Sequence, residues 1–444
     1  MVAAEARENH ERLRNDIGRS ARRRRRDPRN AALLDFAPAG RPPSAGGSTP
    51  MSDLAALGEI VWPSSLALAW LAGEIGHRWL GLPRISSYGV VGFLLASAQG
   101  GFLPDPRDGP AAWLADVAFG LILFELGYRI NLNWLRTNPW LAVTSLVEAG
   151  GSFVAVFFVA QRFSVAPVPA LLLAALAMST SPAAVVRVTN ELHSSGQVTE
   201  RTLHLSAFNC VLAVIAFKIV VGYGLLVSDG GILRALWSSL AVLAVSAGLG
   251  AAFGVAVPGL LRMLGGGERN ATLAFAAAVI VATALSHALQ FSPLLATLAF
   301  GIVARHRRVV LSPAQRNFGA LGDLLTLLLF VFVAATIDWR HAVEGAGLAL
   351  AVIAVRVAVK TSATTLFARA SGLSWRKGVL TGLALTPLSV FAILLLEQSR
   401  YLGLDLLDEL KAIMGMVLLL EVIAPIITQR ALIRAGEATG REED

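Results

Sequence analysis

The residues of this chain best suited to chemistry are few and lie in greasy surroundings. Of its four lysines, Lys218 in "VIAFKIVVGY" and Lys360 in "AVRVAVKTSA" fall within apolar runs, and Arg356 precedes Lys360 by about one helical turn, on the same face. Acids in comparable settings are Glu125 ("LILFELGYR"), Glu148 ("TSLVEAGGS") and Glu421 ("LLLEVIAPI"), with Glu74 and Glu397 nearer the ends of their runs. A charge in hydrocarbon is costly unless it pairs or lines a water-filled path, so each is either half of an interhelical ion pair or part of a solute pathway.

A second set is polar without being charged. "ALAMSTSPAAVVRV" places Ser179, Thr180, Ser181 and Pro182 in the middle of an otherwise apolar segment. Proline removes an amide donor and clashes with a preceding carbonyl, leaving backbone groups that lipid cannot satisfy. Such an interruption is either a simple kink or a true break beside a polar cavity, where the hydroxyls of Thr and Ser replace the missing partners. "LALTPLSVF" (383–391) echoes "MSTSPAAVV" (178–186), aligning Thr386-Pro387 with Ser181-Pro182.

The elements that must position these residues follow from composition. Mean hydropathy is +0.63, 55% of residues are hydrophobic and only 15% charged, a balance that indicates a polytopic membrane protein. Apolar runs long enough to cross a hydrocarbon core of about 30 Å fall at roughly 57–80, 84–103, 111–132, 139–161, 167–190, 203–227, 232–263, 270–289, 291–305, 318–337, 342–370, 376–398 and 409–432. The fold class is therefore all-α, with about thirteen transmembrane helices. The two Pro motifs lie in the fifth and twelfth. That odd separation runs the two copies in opposite directions, as inverted repeats with two broken helices require, with the seventh helix as linker.

Lys and Arg in the short connections set the orientation. With the first helix starting outside, eighteen basic residues fall on the inner side and six on the outer, which puts the C-terminus in the cytoplasm. Residues 1–50 carry eleven Arg against six acids and include the run Arg22 to Arg26 without a signal-peptide core. This tail reads as disordered, and its charge opposes the orientation set by the loops, so Met51 is the expected functional start. Anionic lipid is a better partner for the arginine run than nucleic acid, which is not expected as a partner. The expected organisation is a basic tail over 1–50, a transmembrane domain over 51–436 and a short cytoplasmic tail over 437–444.

In "GLPRISSYGVVGFLLA", "FGLILFELGYRINLNWL", "TSPAAVVRVTNEL", "FSPLLATLAFGIVAR" and "IAPIITQRALIRAGE", in that order, the chain resembles the monovalent cation:proton antiporter superfamily, the sodium/proton exchangers and Kef-type potassium/proton antiporters. The resemblance covers nearly all of residues 57–436. It implies a homodimer in the cell membrane, a dimerisation domain beside a mobile core domain, and two broken helices crossing next to a polar pair on the sixth helix. Carried over by residue, Thr180, Ser181 and Pro182 fall on the first crossover and Leu385, Thr386 and Pro387 on the second. Asn209-Cys210 in "LSAFNCVLAV" falls on the polar pair, Lys360 on the basic residue facing it, and Glu125 on a third-helix acid of one branch.

The chain departs from these relatives at the pair itself. Where they have Asn-Asp, Gln-Asp or Asp-Asp it has Asn209-Cys210; Ser181 stands where one branch has Asp, and Leu205 where that branch has Glu. A thiol, with an ordinary pKa of about 8.5, is a poor hard-cation ligand, so Cys210 reads as a small core residue in place of a lost carboxylate. Three functions stay open. One is cation:proton antiport (Na+ or K+) through another acid, Glu125 or Glu148, opposite Lys360, since a desolvated lysine can release its proton near neutral pH. Another is transport of an anion or organic acid by Lys360, Arg356 and Lys218. The last is a non-transporting sensor or partner subunit.

Enzymatic readings have little support. The chain has neither a Gly-rich phosphate loop ending in Lys-Ser or Lys-Thr nor a His-Glu-x-x-His, and its single cysteine excludes a disulfide framework. No cofactor or resident metal is expected, and no nucleotide-binding regulatory domain beyond the last helix. Gly250 to Gly254 forms a G-x-x-x-G, a signal for close helix packing, and His287 reads as a satisfied polar residue. Deleting residues 1–50 is expected to leave membrane insertion and transport intact; loss of insertion in a surface-labelling assay of the truncated protein would overturn that reading of the tail.

Overall fold

With no water in the hydrocarbon layer to take up backbone N–H and C=O groups, a spanning chain must satisfy them internally, and this one does so with helices. The computed structural model describes residues 50–104, 110–226, 232–263, 268–289, 291–307, 318–388, 392 and 411–438. The Arg-rich tail and Glu397 lie outside the described residues. The chain divides into two units, Met1–Ala56 and Leu57–Asp444, and the architecture below is that of the second.

The helices are α1 (Pro50–Leu80), α2 (Arg84–Leu95), α3 (Pro110–Arg129), α4 (Leu132–Thr137), α5 (Pro139–Arg162), α6 (Pro167–Met178), α7 (Pro182–Glu191), α8 (Gln197–Leu226), α9 (Ile232–Met263), α10 (Glu268–Ala288), α11 (Pro293–His306), α12 (Gly319–Ala335), α13 (Trp339–Glu344), α14 (Ala346–Leu366), α15 (Trp375–Ala384) and α16 (Lys411–Arg434). Among the described residues the only β-type pairing is an isolated bridge, Ala96 to Leu103. Eight spans among the described residues are long and apolar enough to cross a membrane by length and composition, and α2, α11 and α12 are shorter apolar helices. Each of the thirteen expected segments overlaps a described helix, 376–398 only over Trp375–Ala384 because most of its remainder lies outside the described residues, and the close pair around Gln290 is divided, α10 ending at Ala288 and α11 starting at Pro293. The short α4 and α13 were not expected. Each starts at a polar cap, Asn131 accepting from the amides of Asn133 and Trp134 and Asp338 from that of Arg340.

Small residues decide how closely the helices approach. A Cβ at Gly250 on α9 would stand 1.9 Å from the Ala296 carbonyl of α11, and one at Gly301 on α11 would stand 2.2 Å from the Phe124 carbonyl of α3. Backbones therefore touch at both crossings, as the G-x-x-x-G suggested. Phe124, Phe275 and Phe300 fill the space between α3, α10 and α11, with ring centroids 4.7 to 5.9 Å apart. Around them stands one group of helices. The other, α5, α6, α8, α14 and α15, carries the interrupted segments, and α16 packs against α14 and α15 as well as against α2.

The first residue of the expected C-terminal tail is docked. Glu437 turns back to the start of α8, where its carboxylate accepts from the amides of Val198 (2.9 Å) and Thr199 (2.8 Å), the Thr199 hydroxyl (3.0 Å) and Lys377 Nζ (3.1 Å). Gly196 has φ +150°, and a Cβ there would overlap the Glu437 carboxyl. Burial pushes this carboxyl up, but the two amides, Lys377 and the Thr199 hydroxyl together hold it below its usual value. A depressed folded-state pKa means stability that is present above the ordinary carboxylate range and lost as pH falls through the lowered value. Glu437→Gln should therefore cost about 1–3 kcal/mol at pH 7, and the difference from wild type should shrink below about pH 4. Melting curves in detergent at the two pH values test this.

Candidate functional site

The site is built where two helices stop in mid-segment. Pro182 forces the residue before it out of the helical region, so α6 ends at Met178 and Ser179 (ψ 147°) and Ser181 (ψ 107°) are extended. The same proline then opens α7 at its first position, and the Ser181 hydroxyl caps that helix by accepting from the Ala184 amide at 3.2 Å. Likewise α15 ends at Ala384, ahead of Leu385, Thr386 and Pro387. Pro63, Pro258 and Pro425, by contrast, lie inside continuous helices.

The two breaks bond directly to each other. The Ser181 amide donates to the Pro387 carbonyl at 2.9 Å, and the Thr180 hydroxyl donates to the Leu385 carbonyl at 3.2 Å. The carbonyls left over at the ends of α6 and α15 converge on one guanidinium, that of the fully buried Arg356. Its Nε donates to Ala177 O (2.8 Å), Nη1 to Thr386 O (2.5 Å) and Nη2 to Ser179 O (2.6 Å) and Pro387 O (3.1 Å), with Leu385 O at 3.5 Å. Two helix C-termini, each carrying partial negative charge, thus neutralise a buried cation that has no ion pair of its own among the described residues.

One turn further along α14, Lys360 reaches the same place. Its ammonium forms an ion pair with Glu148 Oε1 on α5, and it also donates to Met178 O (3.1 Å) and Thr180 Oγ1 (3.3 Å). Both side chains of the pair are fully buried, and Glu148 Oε2 has no hydrogen-bond partner. The Thr180 hydroxyl is saturated, because it also accepts from Asn209 Nδ2 at 3.2 Å. The other end of that amide, Asn209 Oδ1, accepts from Ser145 Oγ at 3.3 Å, and Cys210 Sγ lies 3.2 Å from Thr180 O.

Thr180, Ser181, Asn209, Cys210, Lys360 and Thr386 are therefore brought together, along with Glu148, Arg356 and both prolines. The other candidates stand elsewhere. Glu125 is held by Arg129 Nη2 (2.8 Å) and Asn190 Nδ2 (2.9 Å), an ion pair with its own helix plus a bond to α7, away from the crossover. Lys218 is half-buried, about two turns beyond Cys210 on α8. Glu421 is buried on α16 beside α2, and His287 pairs with Asp116 at 3.0 Å.

Several residues were missed by sequence reasoning. Ser145 and Ser152 share one face of α5 with the expected Glu148, a helical spacing that was legible; Ser152 Oγ is buried without a hydrogen-bond partner among the described residues. A second missed group lies at the far end of α7. There Arg187 bonds Asp323 and the Gly322 carbonyl of α12 (both 2.5 Å), and Glu191 pairs with Arg84 (3.0 Å) and His77 (2.8 Å). Arg84, Arg187, Glu191 and Asp323 border a cavity of about 940 Å³ between α1, α2, α7 and α12.

Two crossed helix breaks in an all-α multi-pass bundle, with a buried acid–lysine pair against them, define the architecture of a secondary transporter. Residues 64–434 match the transmembrane sodium/hydrogen exchanger family, and the chain belongs to it; cation:proton antiport is the activity of that class. Two solved structures of the sodium proton antiporter MjNhaP1 from Methanocaldococcus jannaschii share the fold. One, at pH 8, has TM-score 0.58 and 16% identity and covers 85% of this chain and 96% of its own. The other, an electron-microscopy map, has TM-score 0.66 and 15% identity and covers 88% and 97%. No curated protein sequence matches the chain.

Arg356→Lys tests the crossover geometry. An ammonium cannot reproduce the planar fork, so at least two of the bonded carbonyls lose their donor, and an orphaned buried polar group costs about 1–3 kcal/mol. The variant should melt in detergent with a loss of roughly 2–5 kcal/mol; a wild-type melt would show that the carbonyls need no such donor.

Proposed function

We propose that this protein exchanges Na+ or K+ for protons by alternating access across the cell membrane, with Glu148 as the cation-binding carboxylate and Lys360 as its displaceable, proton-labile partner. The observation that carries this is the fully buried Glu148–Lys360 pair, made against the crossover and leaving Glu148 Oε2 open. Family relatives place their carboxylate on the helix that here presents Asn209-Cys210. In this chain a carboxylate reaches the same lysine from α5, and Cys210 fills the vacated space.

Charge conservation suggests how the pair works. A dehydrated monovalent cation that binds Glu148 competes with the Lys360 ammonium. If Lys360 then yields its proton to water, the site stays neutral: carboxylate, cation and neutral amine replace carboxylate and ammonium. Exchange of one cation for one proton therefore leaves no uncompensated charge to be buried as the site changes sides. The opposite step reloads the proton and expels the cation. The cation and proton are cargo, and no resident cofactor enters the scheme.

The anion reading has less to stand on, because Arg356 spends its donors on carbonyls and Lys360 is neutralised by Glu148. Glu125, already paired with Arg129, is assigned a structural role. The C-terminus is placed in the cytoplasm from the distribution of Arg and Lys, and the chain is expected to function as a homodimer in the bilayer, as the family resemblance implies.

The test is cation-driven pH change in proteoliposomes. Glu148→Gln removes the carboxylate that binds the cation and holds the Lys360 ammonium and should abolish it, by about 100-fold or more, while Glu125→Gln keeps coupling. Adding Cys210→Asp to Glu148→Gln returns a carboxylate to the far side of Thr180 and should restore part of the exchange. Full exchange in Glu148→Gln would place the chemistry elsewhere.

A further inference from the structure

The site described above leaves one buried acid unused. Glu421, midway along α16, is 8% exposed, and neither carboxylate oxygen has a hydrogen-bond partner among the described residues. Its surroundings are shaped to admit it: the space a Cβ would fill at Gly89 on α2 lies 3.1 Å from Glu421 Cγ. One residue along, the Val422 carbonyl accepts from Ser86 Oγ of α2 at 2.9 Å. The acid thus lies on the seam between α2 and α16, and on its other sides α16 packs against α14 and α15, which carry Lys360 and the second break.

Among the described residues, none of the charged and titratable groups on the neighbouring helices bonds Glu421. From α2, Arg84 is bound to Glu74 and Glu191, while the Tyr88 ring presses on Gly73 of α1. From α7, Arg187 pairs with Asp323 and Glu191 with Arg84 and His77. From α14, Arg356 and Lys360 serve the crossover, and from α15, Lys377 holds Glu437 and Arg376 the Arg434 carbonyl. On α13, Arg340 lies over Trp339, and neither it nor His341 or Glu344 bonds Glu421. With no cation and no donor beside it among the described residues, a buried carboxylate is better held as the neutral acid.

We propose that Glu421 is a second proton-binding site of the transport cycle, holding a proton while the α2–α16 seam is packed and releasing it when the seam opens to water. This rests on the alternating-access reading above, in which the crossover-bearing helices move against their neighbours. On opening, the carboxyl O–H bond breaks, the proton passes to water and the carboxylate is hydrated; on closing, the proton returns from water. The packed state binds one more proton than the opened one, so rising pH favours opening about tenfold per unit wherever only the packed form is protonated.

Full-length protein in proteoliposomes, driven by Na+ and then K+ gradients over a pH series, supplies the test, together with infrared difference spectra of the purified protein. Glu421→Gln should retain exchange but lose alkaline acceleration, the slope of log turnover against pH falling by about one, and a protonated-carboxyl band present in wild type at neutral pH should vanish. Gly89→Ala, which crowds the carboxyl without removing it, should move the pH at which turnover rises and keep the slope. A wild-type pH profile in Glu421→Gln, or no Glu421-dependent protonated band, overturns the proposal even where Glu148→Gln is inactive. If no cation drives proton flux in the wild type, the functional reading fails, and the infrared titration still decides whether Glu421 holds a proton.

Discussion

Everything at the centre of this protein depends on how carbonyl groups without helical partners are satisfied away from water. Two helices stop in mid-segment, at Met178 and Ala384, and each exposes its last carbonyls to a medium that offers no hydrogen bonds. Arg356 takes up that deficit with one planar fork, and Lys360 adds a bond to Met178 O. The donors that make the breaks tolerable are cations, so the repair brings positive charge to the crossover itself.

That charge sets the chemistry available beside it. Carbonyl dipoles from two helix ends suffice for the diffuse guanidinium, whereas the compact ammonium of Lys360 takes a full counter-charge from Glu148. The pair is neutral as it stands, and only the lysine member of the two cations can change its protonation at moderate cost. The difference between residues one turn apart on α14 thus follows from their head groups: Arg356 bridges the carbonyls of the crossing, and Lys360 takes a carboxylate.

The far end of α7 shows how this centre is joined to the rest of the molecule. Arg187, Asn190 and Glu191 bond to α12, α3 and α2 respectively. Three bonds from one short half-helix to three different neighbours make its position sensitive to any shift of those helices. The cavity of about 940 Å³ borders the polar end of α7, while Thr180, Asn209 and the Glu148–Lys360 pair pack at its crossover end.

The sequence by itself determined the membrane class, the placement of the spanning helices and the residues whose burial would demand explanation, because hydropathy, proline geometry and the cost of a charge in hydrocarbon are local properties. It also pointed to Thr180, Ser181, Thr386 and Lys360 through a weak internal echo and a family resemblance. It singled out Pro182 and Pro387 as breaks only through that echo and resemblance; proline geometry alone does not separate them from Pro63, Pro258 and Pro425, which sit within helices, since that depends on whether donors from other helices can receive the freed carbonyls. Nor did it choose between Glu125 and Glu148. Both lie in similar apolar runs, and a membrane helix is apolar toward lipid and core alike, so the hydrophobic pattern does not reveal which face turns inward. Only the packing of α5 against α14 put Glu148 within reach of a lysine 212 residues away, while Arg129, one turn along α3, had already claimed Glu125.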